Sequence, residues 1–494
     1  MYRNATALRL LALCAPIILC LAALPAQATS PADSTSVQHH IDNVTACLTG
    51  PVIDKNDRGD CSTLQRRMTE MRVLGVSIAV VHNGVIEWAK GFGVTELGGK
   101  PIMADTLFQA GSISKPLAAM AALRLVQQGK LSLDGDVNQS LRSWKIPASD
   151  AAPGATVTLR ELLTHTAGFT VHGFPGYTAG ESVPTLIQVL NGEKPANTPP
   201  IRLESSPNSK WNYSGGGYTV MQQLVLDVSG QPFPTLLHDT VLAPIGMIHS
   251  TYQQPLPANL LPAAAMPYNA DDTPVKGGPH TYPEMAAAGL WTTPSDLARY
   301  IIENQRSLRG EANHVLSAEM TKQMMIAGQG NWGLGLQIGG SASNPYFSHG
   351  GVNAGYESLF VGYEQNGEGA VVMTNAQNGS RLASEVMGSI AAEYGWPDFH
   401  PIVHAGIKVD PSILASYVGT YQLTPDFSIT VTFENGKLMA LATHQSIVQL
   451  FPESQTEFFL KVVDAQLEFV KDEKGQIAYL VLHQNGHDQK GMKK

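Results

Sequence analysis

Charge is scarce in this sequence, and what there is leans acidic. Lys and Arg number 32 against 41 Asp and Glu, charged residues make up 15% of the 494, and the formal net charge is −9. No long basic run occurs, which argues against nucleic acid or an anionic membrane surface as a partner. Cysteine is scarcer still, at four. No Cys/His cluster has zinc-ligand spacing, so no metal is expected, and His39-His40 reads as part of a solvated polar tail. Long apolar runs are missing after the N-terminus, so nothing later reads as a membrane span. Internal repeats and low-complexity tracts are missing too. The length exceeds one small core and predicts two or more domains.

The single apolar run, Leu10 to Leu24, follows Arg3 and Arg9 and precedes Pro25 and Ala26-Gln27-Ala28. That is the pattern of a secretory signal peptide, 1–28, cut before Thr29. Ile17-Ile18-Leu19 lacks the small residues expected before a lipidated Cys20. The expectation is an exported protein, periplasmic or secreted, with no transmembrane segment after cleavage. Cys47 and Cys61 remain after processing. An even pair in an exported chain permits a disulfide, and two free thiols fit the sequence nearly as well.

What is present is organised around Gln109-Ala110-Gly111-Ser112-Ile113-Ser114-Lys115-Pro116-Leu117. Leu117 to Gln128 has the apolar spacing of a buried helix, and Pro116 is tolerated only in its first turn. Ser112 is therefore expected at a helix N-terminus, with Lys115 three residues on and on the same face. A serine hydroxyl becomes nucleophilic when a nearby base takes its proton, and a buried lysine can be that base.

Around this stretch, Val76–Val81 and Val85–Ala89 flank His82-Asn83-Gly84 and predict a tight hairpin. Thr158-Leu159-Arg160-Glu161 is a capping box opening a helix that carries His165 and ends at Gly168. His165 reads either as a catalytic base or as a histidine bonded to a loop carbonyl. Tyr213 precedes Gly215-Gly216-Gly217 at the start of a helix ended by Gly230. It is a candidate proton shuttle, provided neighbouring cations depress its pKa. Thr293-Pro294 starts a helix running to about Asn304. Strands are expected at 333–338, around His349-Gly350-Gly351, at 354–361 and at 370–373, followed by a helix over 381–394. Pro397 to Pro411 reads as a linker. At least six short alternating strands between 417 and 482 then predict an antiparallel barrel or sandwich.

Ser112-x-x-Lys115, Tyr213-Ser214-Gly215 and His349-Gly350-Gly351, in this order, resemble the serine β-lactamase and penicillin-binding-protein superfamily. The set is most similar to the class C-type branch, which includes D-amino-acid peptidases, D-Ala-D-Ala carboxypeptidases and esterases. Leu162-Leu163-Thr164-His165-Thr166-Ala167-Gly168 and Ala288-Gly289-Leu290-Trp291 add to the likeness, which covers roughly 65–395. The strand-rich tail is similar to lipocalin-like C-terminal domains. The resemblance implies an α+β fold, an antiparallel sheet flanked by helices with an all-helical subdomain, over 29–396, then the linker 397–411 and a small all-β barrel over 412–494.

It also implies roles. Ser112 would form an acyl-enzyme, and Lys115 and Tyr213 would share general-base and general-acid duty. The backbone N–H groups of Ser112 and Val352 would form an oxyanion hole, and His349, Gly350 and Gly351 would contact substrate. No metal or organic cofactor is implied. Two departures stand out. Gly215 replaces the Asn of a Tyr-x-Asn motif, and His349 stands where many relatives carry Lys. Both favour a D-amino-acid or D-Ala-type peptidase or an esterase over a β-lactamase in the strict sense. The substrate would be a small molecule or peptide, including cell-wall-derived ones. A catalytically silent penicillin-binding or cell-wall-sensing protein is the rival of another class.

Overall fold

Alternating Val, Ile and Ala make Gly75–His82 a strand buried along nearly all its length. Val76, Ile78 and Val80 point into one apolar cluster, and Ala79 and Val81 point into another on the opposite face. A strand covered on both faces belongs in the middle of a layered domain. A computed structural model describes residues 31–57, 61–311 and 313–494. The proposed signal segment 1–28 lies outside the described residues.

Gly75–His82 is the second strand of a six-stranded antiparallel sheet ordered Val85–Gly93, Gly75–His82, Gly369–Thr374, Tyr356–Tyr363, Asn344–Asn353, Gln337–Ser341. The first hairpin turns on Asn83 and Gly84, both at positive φ, as a two-residue turn of this kind requires. The helices Pro31–Ala46 and Gly379–Tyr394 cover one face. On the other lie Pro294–Leu308 and an irregular helical region holding Ser114–Gln127 and Gly215–Ser229. The α+β architecture is the expected one. Among the described residues no helix is long and apolar enough to cross a membrane.

Boundaries differ in instructive places. The strand expected at 333–338 sits at Gln337–Ser341. Leu334 and Leu336 are buried in the helical core, and the Gly333 N–H bonds the Leu336 carbonyl, which closes a turn there. Ala354-Gly355 is the turn between two strands, so the next strand begins at Tyr356. The capped helix Leu159–Thr164 ends on His165 itself, in the left-handed region, ahead of Gly168.

The 397–411 segment carries a short strand, Ile402–His404, parallel to Val52–Asp54. Those residues lie in the loop closed by a Cys47–Cys61 disulfide. The loop also meets the C-terminal domain, through an Asp57–Lys461 ion pair at 3.0 Å. That domain is a closed antiparallel barrel of eight strands from Gly419 to Lys493. Tyr421, Val431, Leu438, Leu450, Phe469 and Leu480 fill its interior, and Leu414 of the helix Pro411–Ser416 packs with them.

Candidate active site

Gly111–Ile113 forms a tight 3-10 turn that runs into the helix Ser114–Gln127. Ser112 is half-buried at that junction, as its spacing predicts. The turn is held from several sides. The Ser114 hydroxyl donates to the Gly111 carbonyl at 2.6 Å and accepts from the Leu290 N–H at 2.9 Å. Tyr252 donates to the Ser114 carbonyl at 2.6 Å.

Two glycines let the sheet approach this turn. A Cβ on Gly111, whose φ is +52°, would lie 2.5 Å from the Val352 nitrogen. A Cβ on Gly351 would lie 1.9 Å from the Ala110 carbonyl oxygen. Asn353 pairs with Tyr356 across a two-residue turn, and backbone groups alternate along an antiparallel ladder. This register turns the Val352 N–H away from the neighbouring strand, toward the edge where Ser112 sits. Of the predicted substrate-contacting residues, Gly350 is exposed, whereas Gly351 is buried against Ala110 and serves the close approach.

Lys115 is 2% exposed. Its Nζ lies 2.9 Å from the Ser112 Oγ and 2.8 Å from the Ala287 carbonyl. It also lies over the rings of Tyr213 and Tyr218, at 5.0 and 5.6 Å from their centroids. Among the described residues no carboxylate pairs with it, and burial pushes its pKa down from 10.5 to about 7. Ser112 bonds Lys115, whose Nζ lies over the Tyr213 ring, and the Ser112 hydroxyl is close enough to the Tyr213 phenol to act on its pKa, so all three predicted side chains come together. The expected depression of the Tyr213 pKa is not found. Burial raises it, and the phenol keeps its proton at neutral pH.

His349 also departs from expectation. Its Nδ1 lies 2.5 Å from the Gly350 carbonyl, which only accepts, so Nδ1 carries the proton. Its Nε2 is buried without a partner. Burial and the nearby Lys115 push the imidazole down to about 3, so it is neutral and offers no charge to a carboxylate. His165 bonds neither the serine nor a loop carbonyl. Its Nδ1 accepts the Ser214 N–H at 3.1 Å.

Gly215 faces an aromatic ring. A Cβ there would lie 2.8 Å from Phe174, which fills the room a larger residue would need. Trp332 stands 5.6 Å from the Tyr213 ring and 5.4 Å from His349, an aromatic wall that carries no local signal because it lies in a loop without periodicity. Glu284 was also missed. Its carboxyl is fully buried with no hydrogen-bond partner, and burial raises it to about 8. Among the described residues no group of three or more His, Cys, Asp or Glu side chains is arranged to hold a metal ion.

A half-buried serine beside a desolvated lysine, on a helix packed against an antiparallel sheet, is the arrangement of the β-lactamase/transpeptidase fold. The chain belongs to the beta-lactamase family, whose model matches residues 62–390. A second model, described as Domain of unknown function (DUF3471), matches 404–493. A penicillin-binding protein of Bacillus subtilis (strain 168) is 23% identical over 470 residues, covering 89% of this chain and 99% of the relative. Esterase EstB of Burkholderia gladioli is 30% identical over 196 residues, covering 38% of this chain and 49% of the esterase. The octameric penicillin-binding protein homologue from Pyrococcus abyssi shares the fold, with a TM-score of 0.59 and 22% identity over 87% of this chain and 98% of that one.

Proposed function

We propose that this protein is an exported serine hydrolase that forms an acyl-enzyme at Ser112 on esters or amides. The observation that carries the reading is the Lys115 amine. It is stripped of water, has no counter-charge among the described residues, and sits 2.9 Å from the Ser112 hydroxyl. Near pH 7 a large fraction is unprotonated. That amine donates to the Ala287 carbonyl and takes the serine proton as the serine oxygen bonds to the substrate carbonyl carbon. Tyr213, still protonated, is the acid that passes a proton to the departing oxygen or nitrogen. The N–H groups of Ser112 and Val352 stabilise the oxyanion, an effect of about 3 kcal/mol for each donor. Water then cleaves the acyl-enzyme by the reverse proton transfers.

Two observations favour a substrate without a carboxylate at the reacting end. His349 is neutral where a cation would be needed, and Phe174 takes the space beside Gly215 where a polar side chain would stand. An esterase, or a peptidase for neutral D-amino-acid amides, fits these better than a β-lactamase. Export rests on the 1–28 pattern and is supported by the Cys47–Cys61 bridge, since disulfides persist in oxidising compartments.

The test has two arms. A fluorophosphonate or fluorescent penicillin should label Ser112, located by peptide mass spectrometry. Turnover of a short-chain nitrophenyl ester should exceed that of D-amino-acid peptides and of nitrocefin. Ser112→Ala should lose labelling and turnover with an unchanged circular-dichroism spectrum. Turnover retained by that variant would refute the assignment.

A further inference from the structure

Tyr213 works only if its phenol stays within reach of Ser112, yet it stands on a loop that enters the helix Gly215–Ser229. Such a residue needs something to fix it. His165 grips the loop on both sides of Tyr213. Its backbone carbonyl accepts the Asn212 N–H at 2.9 Å, and its ring Nδ1 accepts the Ser214 N–H at 3.1 Å. Between these two bonds its ring lies against the Tyr213 ring, with centroids 4.2 Å apart and planes 33° from parallel.

The backbone of His165 makes this grip possible. At φ 60° and ψ 32° it occupies the left-handed region at the end of the helix Leu159–Thr164. Most side chains resist that conformation, and helices that end there do so mostly on Gly or Asn. Glycine would keep the carbonyl bond and lose the ring. A strained histidine here is explained by the two extra contacts its ring makes.

The chemistry also assigns the protons. A ring nitrogen that accepts a backbone N–H has no proton of its own, so the His165 proton sits on Nε2. Nε2 is buried without a partner, beside Trp332, whose ring stands at 70° to the imidazole and 5.1 Å away. The only basic lone pair is already taken by Ser214, so His165 is no base for Ser112. Burial and the Lys115 charge oppose its protonation, which would break the Ser214 bond.

We infer that His165 is the positioning residue of the site: a neutral clamp that holds Tyr213 in register with Ser112 by bonding the residues before and after it. The inference rests on the acyl-enzyme reading, and its test separates the two. His165→Ala removes the ring acceptor and the stack. His165→Asn keeps an acceptor oxygen at the place of Nδ1 and tolerates the left-handed backbone. In the full-length protein, His165→Ala should lower the acylation rate of a nitrophenyl ester by about 100-fold, with KM little changed. His165→Asn should recover most of that loss. Placed on top of Tyr213→Phe, His165→Ala should add little, because the residue it positions has already lost its hydroxyl.

Amide hydrogen exchange of the 211–216 peptide reads the clamp without catalysis. Protection should fall in the Ala variant and persist in the Asn variant. Equal protection in both, no rescue by Asn, or an undiminished loss in the Tyr213→Phe background would each overturn the proposal. A wild-type protein unlabelled at Ser112 would instead overturn the acyl-enzyme reading, with the exchange experiment still deciding the clamp.

Discussion

Tyr213 in the cleft and Tyr421 in the barrel are both tyrosines whose pKa burial raises. Their hydroxyls are used differently. Tyr421 donates to the Tyr417 carbonyl at 2.7 Å, and Tyr417 donates to the Gln455 carbonyl at 2.7 Å. Each is tied to a backbone acceptor that does nothing else. The Tyr213 phenol instead lies by the Ser112 hydroxyl of the candidate site, with no backbone acceptor of its own among the described residues. The contrast extends to whole domains. Among the described residues, the buried side-chain polar atoms without hydrogen-bond partners all lie before the barrel, those of His165, His349 and Trp332 beside Tyr213 and others, such as those of Tyr300, Asn375 and Glu385, elsewhere. Buried polar groups are normally satisfied, and three exceptions beside one tyrosine fit a region shaped by chemistry at the expense of stability.

Lys115 tests that contrast with the largest effect. Lys115→Met should reduce acylation by roughly 1,000-fold and at the same time stabilise the fold. The sign follows from proton linkage. The folded pKa of about 7 lies below the ordinary 10.5. Between those pH values the unfolded chain holds a proton that the folded chain has released, so wild-type stability rises with pH across that window. The methionine variant lacks the titration. Its advantage should be greatest at or below pH 7, up to about 5 kcal/mol, and should vanish as pH approaches 10.5. Denaturant unfolding at pH 6.5 and 9.5 measures it. Wild-type kcat/KM should correspondingly climb through pH 7. A variant equally destabilised at both pH values would show that Lys115 is a structural residue like those of the barrel.

The disulfide probes how separate the two regions are. It closes the loop bearing Val52–Asp54, on which Ile402–His404 is paired and to which Lys461 of the barrel is bridged. A loop of this length stabilises by about 3 kcal/mol when closed. Cys47→Ser with Cys61→Ser should therefore lower the melting temperature by several degrees and expose the 397–411 segment to proteolysis. Ester turnover per folded molecule should not change, because among the described residues of that loop none touches the Ser112 turn. A matching loss of turnover would join the two regions into one functional unit.

How far the sequence could be read follows the same division. Elements that local chemistry dictates were legible: the Asn83-Gly84 hairpin, the Thr158 capping box and the Thr293-Pro294 helix start all stand where their residues predict. So were Ser112, Lys115 and Tyr213, because short motifs carry them. Hidden were the properties that arise only when distant segments meet. The Tyr213 pKa rises where cations were expected to depress it, because packing removes water and the Ser112 side chain offsets only part of that. His349 loses its charge for the same reason. The strand His487–Lys493 reads as polar and is formed by its neighbours on either side, which close the barrel. Long-range pairing overrides weak local propensity there.

Tyr421→Phe is the smallest perturbation and the sharpest on the barrel side. It removes one hydroxyl and leaves the ring in contact with Phe469, 5.5 Å away between centroids. The Tyr417 carbonyl then loses its donor inside a packed interior. A buried acceptor without a partner costs about 1–3 kcal/mol, and the lost hydroxyl itself no longer needs one, so a net loss near 1 kcal/mol is expected. Calorimetry should show the transition that includes the barrel shifted down by a few degrees, with acylation of Ser112 unaltered. The same deletion at Tyr213 should have the opposite profile, a large loss of acylation and little change in unfolding. If the two variants gave similar profiles, the barrel's satisfied tyrosines and the cleft's reactive one would not differ in kind, and the assignment of Tyr213 as the acid would fail with that distinction.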